Sequence, residues 1–352
     1  MLDRLAVPIV QAPLAGGPST PELAAAVAGA GGLGFVAGGY RTPDALAEAI
    51  ARTRALTDGP FGVNVFAPTG APADPDAVRR YADALRPLAE AAGVALGEPR
   101  FDDDAFAAKL DLLLEAPPAV VSFTFGCPTA ETVERVHAAG ADVWVTITGP
   151  DEAEQAVAAG ADALVAQGVE AGGHRGAFAD REDRVDYGLL ALLALVRARV
   201  NVPLVASGGI ATGRGVAAVL AAGAAAAQIG TAFMRCPEAG TSAPHREALA
   251  SSRPTGLTRA FSGRLARGIV NRLQAEHSAA APLAYPEVHH VTAPLRAQGR
   301  KAGDAEVINL WAGQAHELAQ ELPAAEVVAR LASEARDALA QAAERLGAVG
   351  AR

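Results

Sequence analysis

One phrase recurs along the chain: an alanine-rich stretch, a glycine, then a short unbroken apolar run. It reads Ala28-Gly-Ala-Gly-Gly-Leu-Gly-Phe-Val36, Ala138-Ala-Gly-Ala-Asp-Val-Trp-Val145, Ala158-Ala-Gly-Ala-Asp-Ala-Leu-Val165 and Ala221-Ala-Gly-Ala-Ala-Ala-Ala-Gln-Ile229. A glycine just past the last helical turn takes the left-handed conformation that satisfies orphan carbonyls. An apolar run without polar alternation suits a strand buried on both faces. Helix and buried strand in alternation predict an α/β protein with a parallel sheet. Eight such strands are predicted, over Val7–Val10, Leu33–Val36, Gly62–Val65, Val120–Phe123, Val143–Ile147, Ala163–Ala166, Leu204–Ala206 and Ala226–Ile229. Eight is the number that closes a (β/α)8 TIM barrel. An open doubly wound sheet ranks second, because no G-x-G-x-x-G follows the first strand.

Two segments break the repeat. Residues 66–117 are Pro-rich and charged, with helical patterning over Asp76–Ala92 and Asp104–Glu115, far longer than an ordinary crossover. From about Ser251 the strand repeat stops, and Pro323–Leu346 alternates apolar and charged residues at helical spacing. The expected organisation is a barrel from residues 1–65 and 118–250, with 66–117 and 251–352 as a helical lid or substrate-side domain. The final helix is expected to pack on the barrel.

Composition narrows the function classes. A chain of 352 residues that is 51% hydrophobic can bury on the order of three quarters of its unfolded surface. A net charge of −9 with scattered basic residues speaks against nucleic acid and for small ligands. No apolar run is long enough for a bilayer. The two cysteines, Cys127 and Cys236, are too few for a disulfide framework, and the N-terminus lacks a secretory pattern, so a cytoplasmic location is expected. The apolar faces of the alanine-rich helices suit either a cover for the barrel or a second copy of the chain, a homodimer.

Polar and glycine residues gather where the strands end, the place where such barrels build active sites. The richest is Gln167-Gly-Val-Glu-Ala-Gly-Gly-His-Arg-Gly176, which sets His174 on a backbone nearly stripped of side chains. Gly172 and Gly173 permit close approach to a ligand, and an imidazole exchanges protons near neutrality; a lone loop histidine is otherwise simply solvated. Ser207, Gly208 and Gly209 end the seventh strand, and Gln228, Ile229, Gly230 and Thr231 end the eighth, where barrels hold phosphate through loop amides. A cofactor anchored there lies toward Gln11, Ala12, Pro13, Asn64, Gln167 and Gly172, and amide side chains such as those of Asn64 and Gln167 suit a heterocycle of alternating N–H and C=O groups. Flavin mononucleotide, FMN, fits that inventory. Tyr285, Trp311 and Gln314 are candidates for a roof over the substrate. No metal is expected: His289 and His290 are adjacent and point differently, and no ligand motif exists. Ser207 lies outside G-x-S-x-G, and Cys127 has no histidine in sequence reach, which disfavours a hydrolase.

With these residues assembled, the chain resembles the nitronate monooxygenase family, formerly 2-nitropropane dioxygenases, and in particular its bacterial class I. The carrying motifs are Pro8-Ile-Val-Gln-Ala-Pro-Leu-Ala-Gly-Gly17, the His174 loop, Ala206-Ser-Gly-Gly-Ile-Ala-Thr-Gly-Arg-Gly215, Gln228-Ile-Gly-Thr-Ala-Phe233 and Leu310-Trp-Ala-Gly-Gln314. The resemblance implies an FMN-bound barrel that oxidises alkyl nitronates, such as propionate 3-nitronate, with O2 to a carbonyl compound and nitrite. It implies His174 as the catalytic residue, and FMN contacts at Asn64, Gln167, Gly172, Gly209 and Gln228 through Thr231. Two positions depart from the pattern. Thr124, a substrate-side candidate in Ser122-Phe-Thr-Phe-Gly126, stands where some members carry a second histidine, and Leu14 stands where methionine is common. The competing readings are an FMN-dependent NAD(P)H reductase of enoyl thioesters or quinones, and a flavin-binding barrel without catalysis.

Overall fold

The computed structural model describes residues 1–68 and 73–349; residues 69–72 of the expected lid insertion and 350–352 of the C-terminal segment lie outside the described residues. The chain opens with β1 (Ile9–Gln11), α1 (Pro21–Gly29), β2 (Gly34–Ala37), α2 (Pro43–Leu56) and β3 (Phe61–Phe66). After α3 (Pro75–Ala91) and α4 (Phe106–Glu115) the alternation resumes with β4 (Val120–Thr124), α5 (Ala130–Ala138), β5 (Asp142–Ile147), α6 (Pro150–Ala158) and β6 (Ala163–Gln167). There follow β7 (Gly173–His174), α7 (Leu189–Arg197), β8 (Leu204–Ser207), α8 (Gly213–Ala221) and β9 (Ala226–Ile229). The remainder forms α9 (Ala243–Leu249), β10 (Thr255–Thr258), β11 (Ala266–Ile269), α10 (Arg272–His277), α11 (Glu287–Ala302) and α12 (Ala324–Val349).

Eight strands form one parallel sheet in the order β1-β9-β8-β6-β5-β4-β3-β2. A parallel bridge between Val10 and Leu33 joins its two ends, with Leu33 donating to Ile9 and Gln11 donating to Leu33. The result is the expected (β/α)8 barrel, each predicted strand falling within two residues of an observed one. The helices start on predictable chemistry: Thr20, Thr42, Thr129 and Thr212 each accept an N-terminal amide, and proline follows the first two. Helices α1, α5, α6 and α8 are followed by the repeat's glycines, Gly31, Gly140, Gly160 and Gly223, all with positive φ.

The barrel wall is apolar on both faces. Outward residues such as Val63, Val121, Val145 and Leu164 join the helices in one core, while Val10, Phe35, Trp144, Val165 and Val205 fill the interior. Helix α4 packs on that outer core through Leu110 and Leu113. Helix α3 instead meets α11, with Val78, Tyr81 and Leu85 packed on Val288 and Val291. Helix α12 returns to the barrel, burying Val327, Val328, Leu331 and Ala335.

The segment after Ser251 carries a feature that helical patterning did not anticipate. Strands β10 and β11 form an antiparallel hairpin, and β11 pairs in turn with β7, Ala266 opposite His174 and Arg267 opposite Gly173. The strands are short and their sequences, Thr-Gly-Leu-Thr and Ala-Arg-Gly-Ile, lack alternation, so nothing in them announces a sheet. Their consequence is functional: the glycine-rich loop is clamped by a backbone ladder to the cover of the barrel.

Candidate active site

The C-terminal ends of the strands and the cover enclose a cavity of about 410 Å³. Strand ends supply Ala12, Pro13, Asn64, Thr124, Gln167, Ser207, Gly208, Gly209, Gln228, Gly230 and Thr231 to its wall. The loop after β6 supplies Gly172, Gly173 and His174, and the cover supplies Trp311. Four expected residues are placed elsewhere. Gln11 is fully buried, bonded to Ser19 Oγ at 3.0 Å and accepting the Phe35 amide at 2.9 Å, so its amide braces the barrel. Ile229 belongs to the barrel's outer core. Gln314 is exposed and touches the site only through its main chain, donating to the Glu170 carbonyl. Tyr285 stands behind the wall, its ring 5.8 Å from that of His174.

His174 is held on several sides. Phe125, Tyr285 and Trp311 surround its ring at centroid distances of 5.8, 5.8 and 5.3 Å. Its carbonyl accepts from Gln167 Nε2, while Gln167 Oε1 receives the Gly176 amide and Arg175 Nη1, so that one glutamine braces the whole loop. Its Nε2 lies 2.8 Å from Ser262 Oγ, which is 3.2 Å from the Arg264 carbonyl. The serine hydroxyl thereby serves either tautomer. Donating to Nε2, it leaves Nδ1–H as a donor; donating to the carbonyl, it accepts Nε2–H and leaves Nδ1 with a lone pair. Burial, then the cations of Arg264 and Arg296, depress the His174 pKa to about 3. The imidazole is neutral at physiological pH.

Strands β8 and β9 end in a cradle for an anion. Gly208 and Gly209 have φ of 123° and 69°, a turn that side chains with a Cβ rarely adopt. Among the described residues, the main-chain N–H groups of Gly209, Gly230 and Thr231 find no protein acceptor. Helix α8 begins just beyond, N-capped by Thr212. The Gln228 side chain is buried against the cavity with no hydrogen bond to a described residue. Asn64 spends its Nδ2 on Ser122 and Thr124, leaving Oδ1 as an acceptor at the wall. Backbone amides without a described acceptor, together with amide side chains along the same wall, match a phosphate joined to a heterocycle. Among the described residues no cluster of histidine, cysteine and acidic groups could hold a metal ion.

Sequence reasoning missed several residues of the cavity wall, from the strand-end loops as well as from the cover. Tyr40, Phe125, Phe261, Ser262, His245, Arg296 and Arg300 all line the cavity, and Arg264 lies 4.1 Å over the Phe125 ring. These residues are dispersed along the chain, and only the turn at Ser262-Gly-Arg264 carries a local signal. The Trp311 motif is explained by its ties: Gly313 donates to Thr231 Oγ1 at 3.0 Å, and the Trp311 carbonyl contacts His245 Nε2 at 3.0 Å.

Comparison with known proteins places this geometry. The nitronate monooxygenase family model matches residues 1–334. A nitronate monooxygenase of Pseudomonas aeruginosa is 44% identical over 94% of this chain and 96% of its own. The crystal structure of a nitroalkane oxidase from Streptomyces ansochromogenes superposes with a TM-score of 0.93 at 52% identity, covering 96% of this chain and 98% of that one. FabK from Thermotoga maritima is more distant, with a TM-score of 0.75 and 27% identity over 99% of this chain and 97% of its own. The chain belongs to the nitronate monooxygenase family, whose members are flavin-dependent oxidoreductases.

Proposed function

We propose that this protein is an FMN-dependent nitronate monooxygenase that converts an alkyl nitronate and O2 into a carbonyl compound and nitrite. The observation that carries the reading is a neutral, tautomer-adjustable His174 on a cavity whose wall also carries the Gly209, Gly230 and Thr231 amides, which find no acceptor among the described residues. Gly209, Gly230 and Thr231 would hold the FMN phosphate, and Asn64 and Gln228 would face its ring. When bound, the flavin supplies the electron acceptor and the route to oxygen.

His174 orients the substrate. With Ser262 donating to Nε2, the Nδ1–H is available to a nitronate oxygen, and the aromatic wall of Phe125, Tyr285 and Trp311 excludes water around it. So low a pKa makes the imidazole a weak base. Hydrogen bonding to an already ionised nitronate therefore suits it better than removal of an α-proton from a neutral nitroalkane. Segments 66–117 and 251–352 act as the substrate-side cover, α4 and α12 excepted, since both pack on the outside of the barrel.

The test is oxygen uptake by the purified flavoprotein with propionate 3-nitronate, without NADH. Uptake with equimolar nitrite supports the reading, and kcat/KM for a nitronate should exceed that for its parent nitroalkane. The likeness to FabK makes NADH oxidation the second arm. NADH consumption with an enoyl thioester or quinone, and none of nitronate, would replace the monooxygenase by a reductase.

A further inference from the structure

The cavity holds a second histidine, set aside in the sequence as half of an unsuitable metal pair. His289, on α11, lines the cavity, whereas His290 turns to Asp102 Oδ2 at 2.7 Å. Two contacts fix the His289 ring. It stacks on Tyr40 with centroids 4.3 Å apart and planes 5° from parallel, and Arg296 Nη2 lies 3.3 Å from its Nδ1. A guanidinium can only donate, so Nδ1 accepts and the ring's proton resides on Nε2. Among the described residues, none accepts a hydrogen bond from that Nε2–H.

The charge around it is one-sided. Arg296 is buried and bonded to Thr292 Oγ1, Asn309 Oδ1 and the His289 carbonyl, all uncharged. Among the described residues, neither Arg296 nor the neighbouring Arg300, which also lines the cavity, forms a salt bridge. A directed N–H backed by two unpaired cations is a wall built for an anion. The wall is coupled to the first histidine, because Tyr285, beside His174, donates its hydroxyl to Tyr40 at 3.2 Å.

We propose that His289 is a second substrate-positioning imidazole of this site, donating its Nε2–H to an oxygen of the bound nitronate. The assignment rests on the nitronate reading above. Burial and the Arg296 charge hold the His289 pKa near 2, so it acts as a neutral donor throughout the working pH range.

Two variants test it. His289→Phe keeps the stack on Tyr40 and removes the donor, whereas His289→Gln keeps an N–H at similar reach. A hydrogen bond to a charged group, by its usual strength, implies that His289→Phe raises KM for nitronate by about 10-fold or more with kcat within about threefold. His289→Gln should recover most of the loss. Nitrate, a planar oxyanion, provides a readout independent of turnover: it should raise the Tm of the wild type and of His289→Gln, and not that of His289→Phe. Wild-type KM and nitrate response in His289→Phe, equal impairment in both variants, or no nitrate response in the wild type would overturn the proposal. Absence of nitronate turnover in the wild type refutes the functional reading instead, and the nitrate arm still decides the role of His289.

Discussion

At the scale of single residues, His174 makes the sharpest demand. As a hydrogen-bond donor to a nitronate, its replacement in His174→Ala should cost about 10- to 100-fold in kcat/KM, the usual range for a bond to a charged group. For a neutral nitroalkane, where the same nitrogen must take a proton, the loss should reach roughly 10²–10⁴-fold. Flavin content should be unchanged, and full activity on both substrates would remove His174 from the chemistry. Gly172 makes a steric demand: a Cβ there would stand 2.4 Å from the Ala312 carbonyl carbon and 2.5 Å from the Gly313 nitrogen. Backbone cannot yield as a side chain does, so Gly172→Ala should destabilise by about 1–3 kcal/mol, read from urea midpoints, as overpacking does. His174 and Gly172 were legible in the sequence because their motif is local. Gln11 was misread as a ligand contact because a polar residue at a strand end looks alike whether its amide faces a cavity or braces the next strand. Only the bonds to Ser19 and Phe35 distinguish the two.

Elements assemble the proposed cofactor site. The ends of β8 and β9 lie side by side because the two strands pair in parallel, Ser207 opposite Gln228, which brings two separate glycine-bearing turns into one cradle. The Gln228 amide, with no described protein partner, should therefore be held by ligand. Gln228→Ala is expected to lower the flavin-to-protein absorbance ratio after dialysis while leaving the barrel folded, and a variant as yellow as the wild type would count against that contact. The barrel strands were readable from short, mostly apolar runs, and four of the eight, β2, β5, β6 and β9, follow a glycine cap besides, a signal within ten residues. The β7–β11 pairing was not readable. It joins residues about ninety positions apart, and a strand as short as Gly173–His174 has no periodicity to show. Tyr40, Ser262 and Arg296 were missed for the same reason: they come together at the cavity from the loop after β2, the hairpin and α11, far apart in the chain.

For the whole molecule, helix α12 covers the faces of two alanine-rich helices, α1 and α8. Its Val327, Val328 and Leu331 join the core shared with α1 and α8. The covered cavity makes a liability to acid. His174, His245 and His289 are packed in surroundings that lower their pKa to about 3, 4 and 2, burial being the largest cause in each. In the unfolded chain each returns to its ordinary value near 6.5. Between those values the unfolded state binds more protons than the folded state, so stability rises with pH and is lost as pH falls below about 6.5. Each histidine contributes a slope approaching about 1.4 kcal/mol per pH unit once its unfolded form is fully protonated. Asp104, whose pKa is raised by burial, acts in the opposite sense, because the folded state then holds its proton more tightly. Urea midpoints measured from pH 7.5 to 5 should fall progressively below pH 6.5. His245→Gln, which retains a donor for the Trp311 carbonyl, should flatten the fall by roughly one of three equal shares. A midpoint that stays level to pH 5 would mean that these imidazoles accept protons in the folded state, and the neutral His174 on which the substrate assignment depends would fall with it.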